Sequence, residues 1–444
     1  MSIRALIRHG RVVDPASGRD ETADVALAEG RIVAIGRVPE GFAPERVIEA
    51  AGCIVAPGLV DLAARLREPG HEHEGLLESE LQAAAAGGVT SLVCPPDTDP
   101  ALDEPGLVEM LKFRARQLSR CRLFPLGALT RGLKGEALTE MSELTRAGCV
   151  GFSQAEDGVT DTQVLLRALQ YAATFGYTVW LRPQDRWLGK GVAASGPIAT
   201  RLGLAGVPVA AETVALHTIF ELVRATGARV HLCRLSSAAG VALLRAAKAE
   251  GLPVSADVSI NSLHLTDVDI GYFNPAMRLS PPLRQARDRD ALRAALADGT
   301  IDALVSDHMP VGGDEKNLPF AEAVPGATGL ELLLCLALKW AQDGPAGGAA
   351  PGASLARALS VVTAAPVRVL GSALGSLAES AGRLVEGGVA DICVFDPEAA
   401  WTVSPAVLRS QGKHTPFDFE HGGVRLPGRV RATLVAGTVA FEAG

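Results

Sequence analysis

The sequence has few cysteines, and their arrangement argues against a domain held together by disulfides or by structural zinc. Seven cysteines are scattered through 444 residues, so their number is odd, and none forms a C-x-x-C pair. Disulfide frameworks and structural zinc sites need paired cysteines at suitable spacings. The pattern therefore predicts a protein of the reducing cytosol.

Long basic runs and long apolar runs are also missing. The formal net charge is -8, with Lys and Arg interspersed among Asp and Glu, so no nucleic-acid partner is predicted. No uncharged apolar run reaches the roughly 18 residues that a membrane-spanning helix needs. The opening stretch MSIRALIRHGRVVD carries three arginines, which does not fit a signal peptide. The prediction is a cytoplasmic protein without a membrane partner.

The chain does contain enough apolar material for a large core. Hydrophobic residues make up 48% of it, which at this length suits one large domain and a smaller one. Residues 1–57 contain short strand-like pieces, residues 58–371 alternate apolar runs with helical patterns, and residues 372–444 return to short strands. Repeated strand-then-helix units predict an α/β fold with parallel pairing, and enough of them to close a ring predict a (β/α)8 barrel. The Gly/Ala/Pro-rich residues 341–354 predict a surface loop.

Several segments that follow the predicted strands span almost the whole chain: APGLVD, LREPG, AAAAGGVTSLVCPPDT, HLCRLSS, PPLR, DGTIDALVSDHMP and GRLVEGGVADICVFDP. In sequence and in order they resemble dihydroorotase, a cytosolic enzyme of pyrimidine synthesis in the amidohydrolase superfamily. The resemblance implies a TIM-like barrel of the amidohydrolase type, with a small β-sandwich built from both ends of the chain. It also implies a site at the carboxyl ends of the barrel strands.

The metal-binding positions that the resemblance implies are altered in this chain. The family's first strand supplies D-x-H-x-H, in which alternate residues point to one side and both imidazoles reach one ion. Here that motif aligns with Asp61-Leu62-Ala63-Ala64-Arg65, so Ala63 and Arg65 replace the two histidines. Arg182 stands where a further histidine ligand is expected. Three imidazoles are thereby lost.

Two of the implied positions keep a possible ligand. His231 matches a histidine of the family, and Asp307 matches the aspartate that acts there as ligand and proton acceptor. We interpret His231 as a hydrogen-bonded relic and Asp307 as a structural ion-pair partner; if any metal binds, these two residues are the expected ligands. The carboxylate motif after the fourth strand is displaced, to Glu156 and Asp157.

The arginines do more than remove ligands. A guanidinium stays charged and has no lone pair to offer a metal. Two unit charges 4 Å apart interact by about 4 kcal/mol at an effective dielectric of 20, and a divalent ion meets roughly twice that repulsion. We therefore predict that Arg65 and Arg182 exclude the metal and pair with Asp307 or Glu156, which would otherwise be buried without a partner. No cofactor and no activated water are expected.

The positions that the resemblance assigns to substrate binding are also partly substituted. Arg67 matches the arginine that holds the substrate carboxylate. Asp97 puts a negative charge where an asparagine is expected, and Ser280 stands where another asparagine precedes PPLR. We therefore interpret the metal-binding and substrate-binding positions together as a vestigial site: Ala63, Arg65, Arg182, His231 and Asp307, with Arg67, Asp97 and Ser280.

Several other residues are candidates for chemistry, each with a simpler interpretation. His71 and His73 have ligand-like H-x-H spacing, but they follow Pro69-Gly70 and are expected to be solvated loop residues. His308 is expected to be structural, and His217, on a predicted helix, is expected to be a surface or packing residue. Cys94 and Cys233 have no apparent base nearby, so buried thiols are the default expectation.

These observations favour a pseudoenzyme. The resemblance implies a non-catalytic dihydroorotase-like subunit that assembles with the catalytic chain of aspartate carbamoyltransferase, in a homo- or hetero-oligomer. One alternative is an active zinc-dependent cyclic-amide hydrolase, with a rearranged site around His71, His73, His231 and Asp307. Another is a metabolite-binding or scaffold protein unconnected to the carbamoyltransferase.

Overall fold

The computed structural model describes residues 4–343, 353–418 and 424–443. Most of the loop predicted at 341–354 lies outside these residues. The strands, in chain order, are β1 Ala5–Asp14, β2 Arg19–Ala28, β3 Arg31–Gly36, β4 Arg46–Glu49, β5 Ile54–Pro57, β6 Leu59–Asp61, β7 Val89–Cys94, β8 Arg122–Pro125, β9 Gly127–Ala128, β10 Phe152–Ser153, β11 Thr178–Leu181, β12 Ala193–Ala194, β13 Gly206–Val207, β14 Arg229–Leu232, β15 Val254–Ser259, β16 Ala303–Val305, β17 Ile392–Thr402, β18 Arg425–Val435 and β19 Thr438–Glu442.

The helices lie mainly between the barrel strands. In chain order they are α1 Leu77–Ala86, α2 Pro105–Leu118, α3 Met141–Ala147, α4 Thr162–Phe175, α5 Pro197–Leu202, α6 Ala210–Thr226, α7 Ala238–Ala249, α8 Ile260–His264, α9 Ala286–Asp298, α10 Leu333–Asp343, α11 Leu355–Ser360 and α12 Ala364–Leu370. Short 3-10 helices occupy Arg131–Leu133, Asp267–Ile270, Pro275–Met277, Gly313–Lys316, Leu330–Leu332 and Gly371–Leu377.

The middle of the chain forms a closed ring of parallel strands. One run of paired strands is β6-β7-β8, and a second is β9-β10-β11-β14-β15-β16. The two runs meet where the Leu126 N–H, between β8 and β9, donates to the Cys94 carbonyl at 2.9 Å. They meet again at a parallel bridge between Ala64 and His308, beyond β6 and β16. With β8 and β9 as one interrupted strand, the ring is the predicted eight-stranded barrel.

Both ends of the chain contribute to one further sheet. Its order is β19-β18-β17-β5-β1-β2-β3, with β4 also paired to β1. The sheet has a hydrophobic core of its own, in which Ile7, Val25 and Val55 from the N-terminal strands pack with Ile392 and Leu434 from the C-terminal ones. The predicted fold, a barrel with a small β-sandwich built from both ends of the chain, is confirmed.

The inside of the barrel is filled with side chains. Val60, Val93, Trp180 and Val305 share a buried cluster there with residues of α12. Barrel strands such as β7 are buried along their whole length, which is why their sequences are continuous apolar runs. The interior is therefore a packed core, and chemistry is confined to the ends of the strands.

One stretch, Leu355–Leu377, is long and apolar enough to cross a membrane by length and composition alone, with 23 residues and a mean hydropathy of 1.5. It is divided into α11, α12 and a 3-10 helix, and most of its apolar part is buried inside the fold. Val367 and Leu370 belong to the cluster inside the barrel. These contacts assign the stretch to the protein core.

Candidate functional site

Three arginines meet at the carboxyl ends of the barrel strands. Arg65 follows β6, Arg182 follows β11 and Arg234 follows β14. Each is less than 10% exposed. Since the strands are parallel, their carboxyl ends lie at the same mouth of the barrel. The sequence thus places three buried guanidiniums where a barrel enzyme has its chemistry.

Glu156, which follows β10, is the common partner of these arginines. Its Oε1 lies 2.7 Å from Arg65 Nη2 and also accepts from Arg234 Nη2. Its Oε2 accepts from Arg182 Nη1, and from Ser280 Oγ at 3.3 Å. Burial by itself would raise the pKa of Glu156, but the guanidiniums of Arg182, Arg234 and Arg65 outweigh it and hold the pKa well below its usual range. Glu156 is therefore fixed as an anion.

Two further carboxylates balance the charge. Asp97 Oδ2 accepts from Arg65 Nε at 2.7 Å, and Asp307 Oδ1 lies 3.1 Å from Arg234 Nη1. The cluster thus joins three guanidiniums to three carboxylates. Burial raises the pKa of Asp307 even though Arg234 and Arg65 oppose the shift. The predicted pairing of Arg65 and Arg182 with a carboxylate of the mouth is confirmed, and the carboxylate is Glu156.

Arg234 is the site residue that the sequence reasoning missed. It lies in the HLCRLSS segment, three residues beyond His231 and just past the end of β14. Its backbone φ is +57°, and its N–H donates to Asp257 Oδ1 at 2.6 Å. This turn sends the side chain into the mouth. Its position immediately after an apolar strand, like that of Arg182, is the signal that could have identified it.

His231 lies inside the barrel, away from the position expected of a metal ligand beside Asp307. It is fully buried, with its ring 4.4 Å from the Trp180 ring. Its Nε2 is 2.9 Å from Asp257 Oδ2, and its Nδ1 is 2.8 Å from Ser255 Oγ. Asp307 instead pairs with Arg234. His231 is thus a hydrogen-bonded residue and Asp307 an ion-pair partner, as interpreted from the sequence, and the two do not form one ligand group.

Asp61 and Ala63, from the motif of the first barrel strand, are buried and bonded to a neighbouring strand end. Ala63 is part of the hydrophobic cluster inside the barrel, and its carbonyl accepts from the His308 N–H at 3.2 Å. Asp61 is fully buried and accepts from the backbone and hydroxyl of Ser306. Burial raises the pKa of Asp61, against the opposing bonds from Ser306. These residues join β6 to β16 and do not face an open site.

The side chain of Arg67 is already bonded to other groups of the protein. Its Nε donates to the Pro310 carbonyl at 2.8 Å, and the same nitrogen lies 2.6 Å from Glu74 Oε2. Burial lowers the pKa of Arg67, and Glu74 partly offsets the shift. A substrate carboxylate would have to displace Glu74, so the residue implied for substrate binding is already occupied.

The four residues of the rearranged-site hypothesis do not form one ligand group. His71 and His73 lie in the loop before α1, with ring centroids 6.3 Å apart and rings tilted by 57°. The potential ligand atoms of His73 group with those of Glu74 and Glu315, whereas those of His231 group with Cys233 and Asp257. The geometry does not bring His71, His73, His231 and Asp307 together.

The remaining candidates have structural surroundings. His308 is buried, with Nε2 2.9 Å from Glu80 Oε2 and Nδ1 accepting from the Gly329 N–H at 3.1 Å. His217 is exposed on α6. Burial raises the pKa of Cys94 to about 12 and that of Cys233 well above its usual value. Neither thiol is poised as a nucleophile.

The divalent metals implied by the family resemblance do not fit the residues at the mouth. A metal ligand must offer a lone pair, but an alanine and two arginines stand at the implied histidine positions, and Arg234 adds a third guanidinium. Glu156, Asp97 and Asp307 each already accept from an arginine. An incoming cation would have to break these ion pairs and then lie beside three fixed positive charges.

Comparisons with known proteins agree with this fold. A family model described as "Dihydro-orotase-like" matches residues 52–239. A "Dihydroorotase-like protein" of Pseudomonas aeruginosa is 44% identical over 437 residues, covering 98% of this chain and 99% of that protein. A "Dihydroorotase" of Geobacter sp. (strain M21) is 38% identical, with 99% of each chain covered. The solved L-hydantoinase (dihydropyrimidinase) of Arthrobacter aurescens superposes with a TM-score of 0.86 at 25% identity, covering 100% of this chain and 97% of that one. The chain belongs to the dihydroorotase-like family of amidohydrolases.

Proposed function

We propose that this chain is a non-catalytic dihydroorotase homologue that serves as a structural subunit for aspartate carbamoyltransferase in pyrimidine biosynthesis. The observation that carries the first half of the proposal is the convergence of Arg65, Arg182 and Arg234 on Glu156. Positions that would hold a metal in a catalytic relative instead form an ion-pair cluster. The proposed location is the cytoplasm.

The cluster supports the proposal that the barrel holds no metal. A lone buried carboxylate or guanidinium is costly, whereas a paired and hydrogen-bonded one is tolerated. Each arginine of the cluster has a carboxylate partner, and Glu156 ties together residues that follow β6, β10, β11 and β14. The network thus takes over the role of linking strand ends that a shared metal would otherwise have. Without a metal ion, it would supply no metal-activated water.

The partner is proposed on different grounds. The family resemblance includes a subunit of this kind, and the chain keeps a complete barrel and sheet although its site is altered. Most random changes destabilise a marginally stable fold, so a packed core is retained when the folded protein has a use. Because ion-paired side chains of the protein itself fill the barrel mouth, the function lies on the outer surface. That surface binds the carbamoyltransferase catalytic chain in a hetero-oligomer.

Co-expression with aspartate carbamoyltransferase tests the proposal. The two chains are expected to elute together in size-exclusion chromatography, and carbamoyltransferase activity is expected to fall when this chain is left out. Unchanged particle size together with unchanged activity would defeat the assembly role. Dihydroorotate hydrolysis by the purified chain alone would defeat the non-catalytic half.

A second candidate function is a hydrolase with a displaced metal site. It is favoured by the group of His73, Glu74 and Glu315 in the loops near the mouth, whose potential ligand atoms lie within 4.8 Å of one another. Against it, Glu74 is paired with Arg67 at 2.6 Å. Zinc analysis of the purified chain separates the two functions, since about one zinc ion per chain, lost on replacing His73 with alanine, would favour the hydrolase.

A further inference from the structure

A cavity lies at the opposite end of the barrel from the arginine cluster. It has a volume of about 400 Å³ and is formed by α2, the start of β8, the 3-10 helix Gly371–Leu377 and the turn between β18 and β19. These elements bring together the amino end of a barrel strand and the sheet built from both ends of the chain. Pockets at such domain junctions are common binding sites for small molecules.

Three cationic side chains line this junction cavity: Lys112 and Arg116 from α2, and Arg122 from β8. Arg122 is paired with Asp391. Lys112 and Arg116 have no carboxylate within salt-bridge distance among residues 4–343, 353–418 and 424–443. Lys112 Nζ donates to the Gly148 carbonyl, and Arg116 Nε donates to the Lys112 carbonyl, each at 3.3 Å. Two positive charges thus face the cavity without an anion.

The dipole of α2 explains why a cation is favoured at Arg116, but it does not explain the cation at Lys112. A cation in the last turn of a helix is favoured by the helix dipole, and Arg116 lies in that turn. Lys112 lies one turn earlier and is only partly exposed. Burial lowers the pKa of Lys112, and the neighbouring Arg116 adds to the shift. An anion bound between the two side chains would relieve this repulsion.

The other walls of the cavity are mainly apolar, with Ser119 and Thr438 as the polar exceptions. Ala115 and Leu123 are buried, whereas Phe124, Leu377 and Val435 keep part of their surface open to the cavity. A fully hydrated inorganic anion would leave this apolar surface exposed to water. A ligand with a flat apolar body would cover it while placing its charge on the cations.

We propose that the junction cavity binds a small organic polyanion, with phosphate groups between Lys112 and Arg116 and a flat apolar body against Phe124 and Leu377. Nucleotides have this chemistry. The site is remote from the vestigial one, and the proposal does not depend on any partner protein or on the loss of catalysis.

Calorimetric titration of the purified full-length chain with inorganic pyrophosphate and with ATP tests the site. ATP is expected to bind at least about tenfold more tightly than pyrophosphate, because only ATP covers the apolar wall. The double variant Lys112→Gln/Arg116→Gln is expected to weaken both ligands at least about tenfold. The Leu377→Ala variant is expected to weaken ATP and leave pyrophosphate unchanged.

Arg201→Gln is the matched control, since Arg201 is an exposed arginine in the last turn of another helix, α5. It is expected to leave both affinities unchanged, and thermal melting checks that each variant is folded. Absence of ATP binding to the wild-type chain would overturn the proposal. So would equal affinity for ATP in the double variant, or an equal loss in Arg201→Gln, which would indicate nonspecific attraction. ATP binding no tighter than pyrophosphate would overturn the assignment of the apolar body.

Discussion

Arg234 and Asp307 face each other across the barrel mouth with their backbones in the same unusual conformation. Arg234 Nη1 lies 3.1 Å from Asp307 Oδ1, and the two residues have φ of +57° and +51°. Neither is glycine, so each left-handed backbone costs free energy that surrounding contacts must offset. The backbone conformation at the strand ends therefore fixes the positions of these two charged side chains, unlike those of mobile charges on the surface.

The first prediction concerns Glu156 as the hub of the cluster. Replacing Glu156 with glutamine removes the one carboxylate shared by Arg65, Arg182 and Arg234. The variant is expected to lose about 3 kcal/mol of unfolding free energy, because the buried Arg182 is left without a counter-charge, while Arg65 and Arg234 keep only Asp97 and Asp307. Urea denaturation measures it. Glu143→Gln, which breaks an exposed Arg–Glu pair on α3, serves as control and is expected to change little. Equal stability of the Glu156 variant and wild type would contradict the role of the hub.

The second prediction concerns metal affinity. The wild-type chain is expected to retain no stoichiometric zinc after dialysis. The triple variant Ala63→His/Arg65→His/Arg182→His is also expected to bind none, because Arg234 still lies between Glu156 and Asp307 and repels a divalent ion by several kcal/mol, roughly 8 at 4 Å and a dielectric of 20. Only the further change Arg234→His is expected to allow uptake. Elemental analysis reads the result, and about one zinc per chain in the triple variant would show that Arg234 is not the barrier.

A third prediction is a stability change with pH that originates at Glu331. This carboxylate accepts from the N–H groups of Arg409 and Ser410, and burial raises its pKa to about 7. A folded-state pKa above the unfolded value means that the native state binds the proton more tightly. The stabilisation is full below about pH 4.5 and is lost as pH rises through about 7.

The comparison of wild type with Glu331→Gln isolates this group from other titrations. Between pH 5 and pH 8 the wild type is expected to lose up to about 3 kcal/mol relative to the variant, which has no proton to lose. Urea denaturation at several pH values gives the difference. Glu80, which bonds Ser410 and His308 nearby, is present in both proteins and cancels. A constant difference across this range would refute the assignment.

The fourth prediction concerns the filled barrel interior. Trp180 is 1% exposed, and the Trp180→Ala variant is expected to lose about 3–5 kcal/mol through the cavity it leaves. Trp187, on the loop after the same strand, is 65% exposed. Trp187→Ala is the control and is expected to melt within a few degrees of wild type. A mild effect at Trp180 would mean that the interior collapses or fills with water.

The sequence predicted the architecture well because the relevant signals are periodic. Continuous apolar runs such as Val89–Cys94 become barrel strands, and the helical patterns between them become the outer helices. Ala63, Arg65 and Arg182 were placed correctly at or beside the strand ends, because each lies at a short, fixed distance from an apolar run.

The omission of Arg234 from the predicted site has a physical cause. His231 and Arg234 both lie at the end of β14, and a strand's alternation says which residues share a face but not where the strand stops. His231 is the third of the four residues of β14 and points inward. The positive φ of Arg234 redirects the chain just beyond it. Such a backbone turn at a residue other than glycine leaves no mark in the composition.

The sheet built from both ends of the chain sets an order of events during synthesis. β5 pairs with β17, but residues 58–391 are translated between them. Until β17 leaves the ribosome, one edge of β5 has no partner in the sheet, and its backbone groups are open to pairing with another chain. A stalled or truncated product would carry that open edge permanently. The nascent chain therefore depends on its final strands, or on a chaperone that shields β5, to escape aggregation.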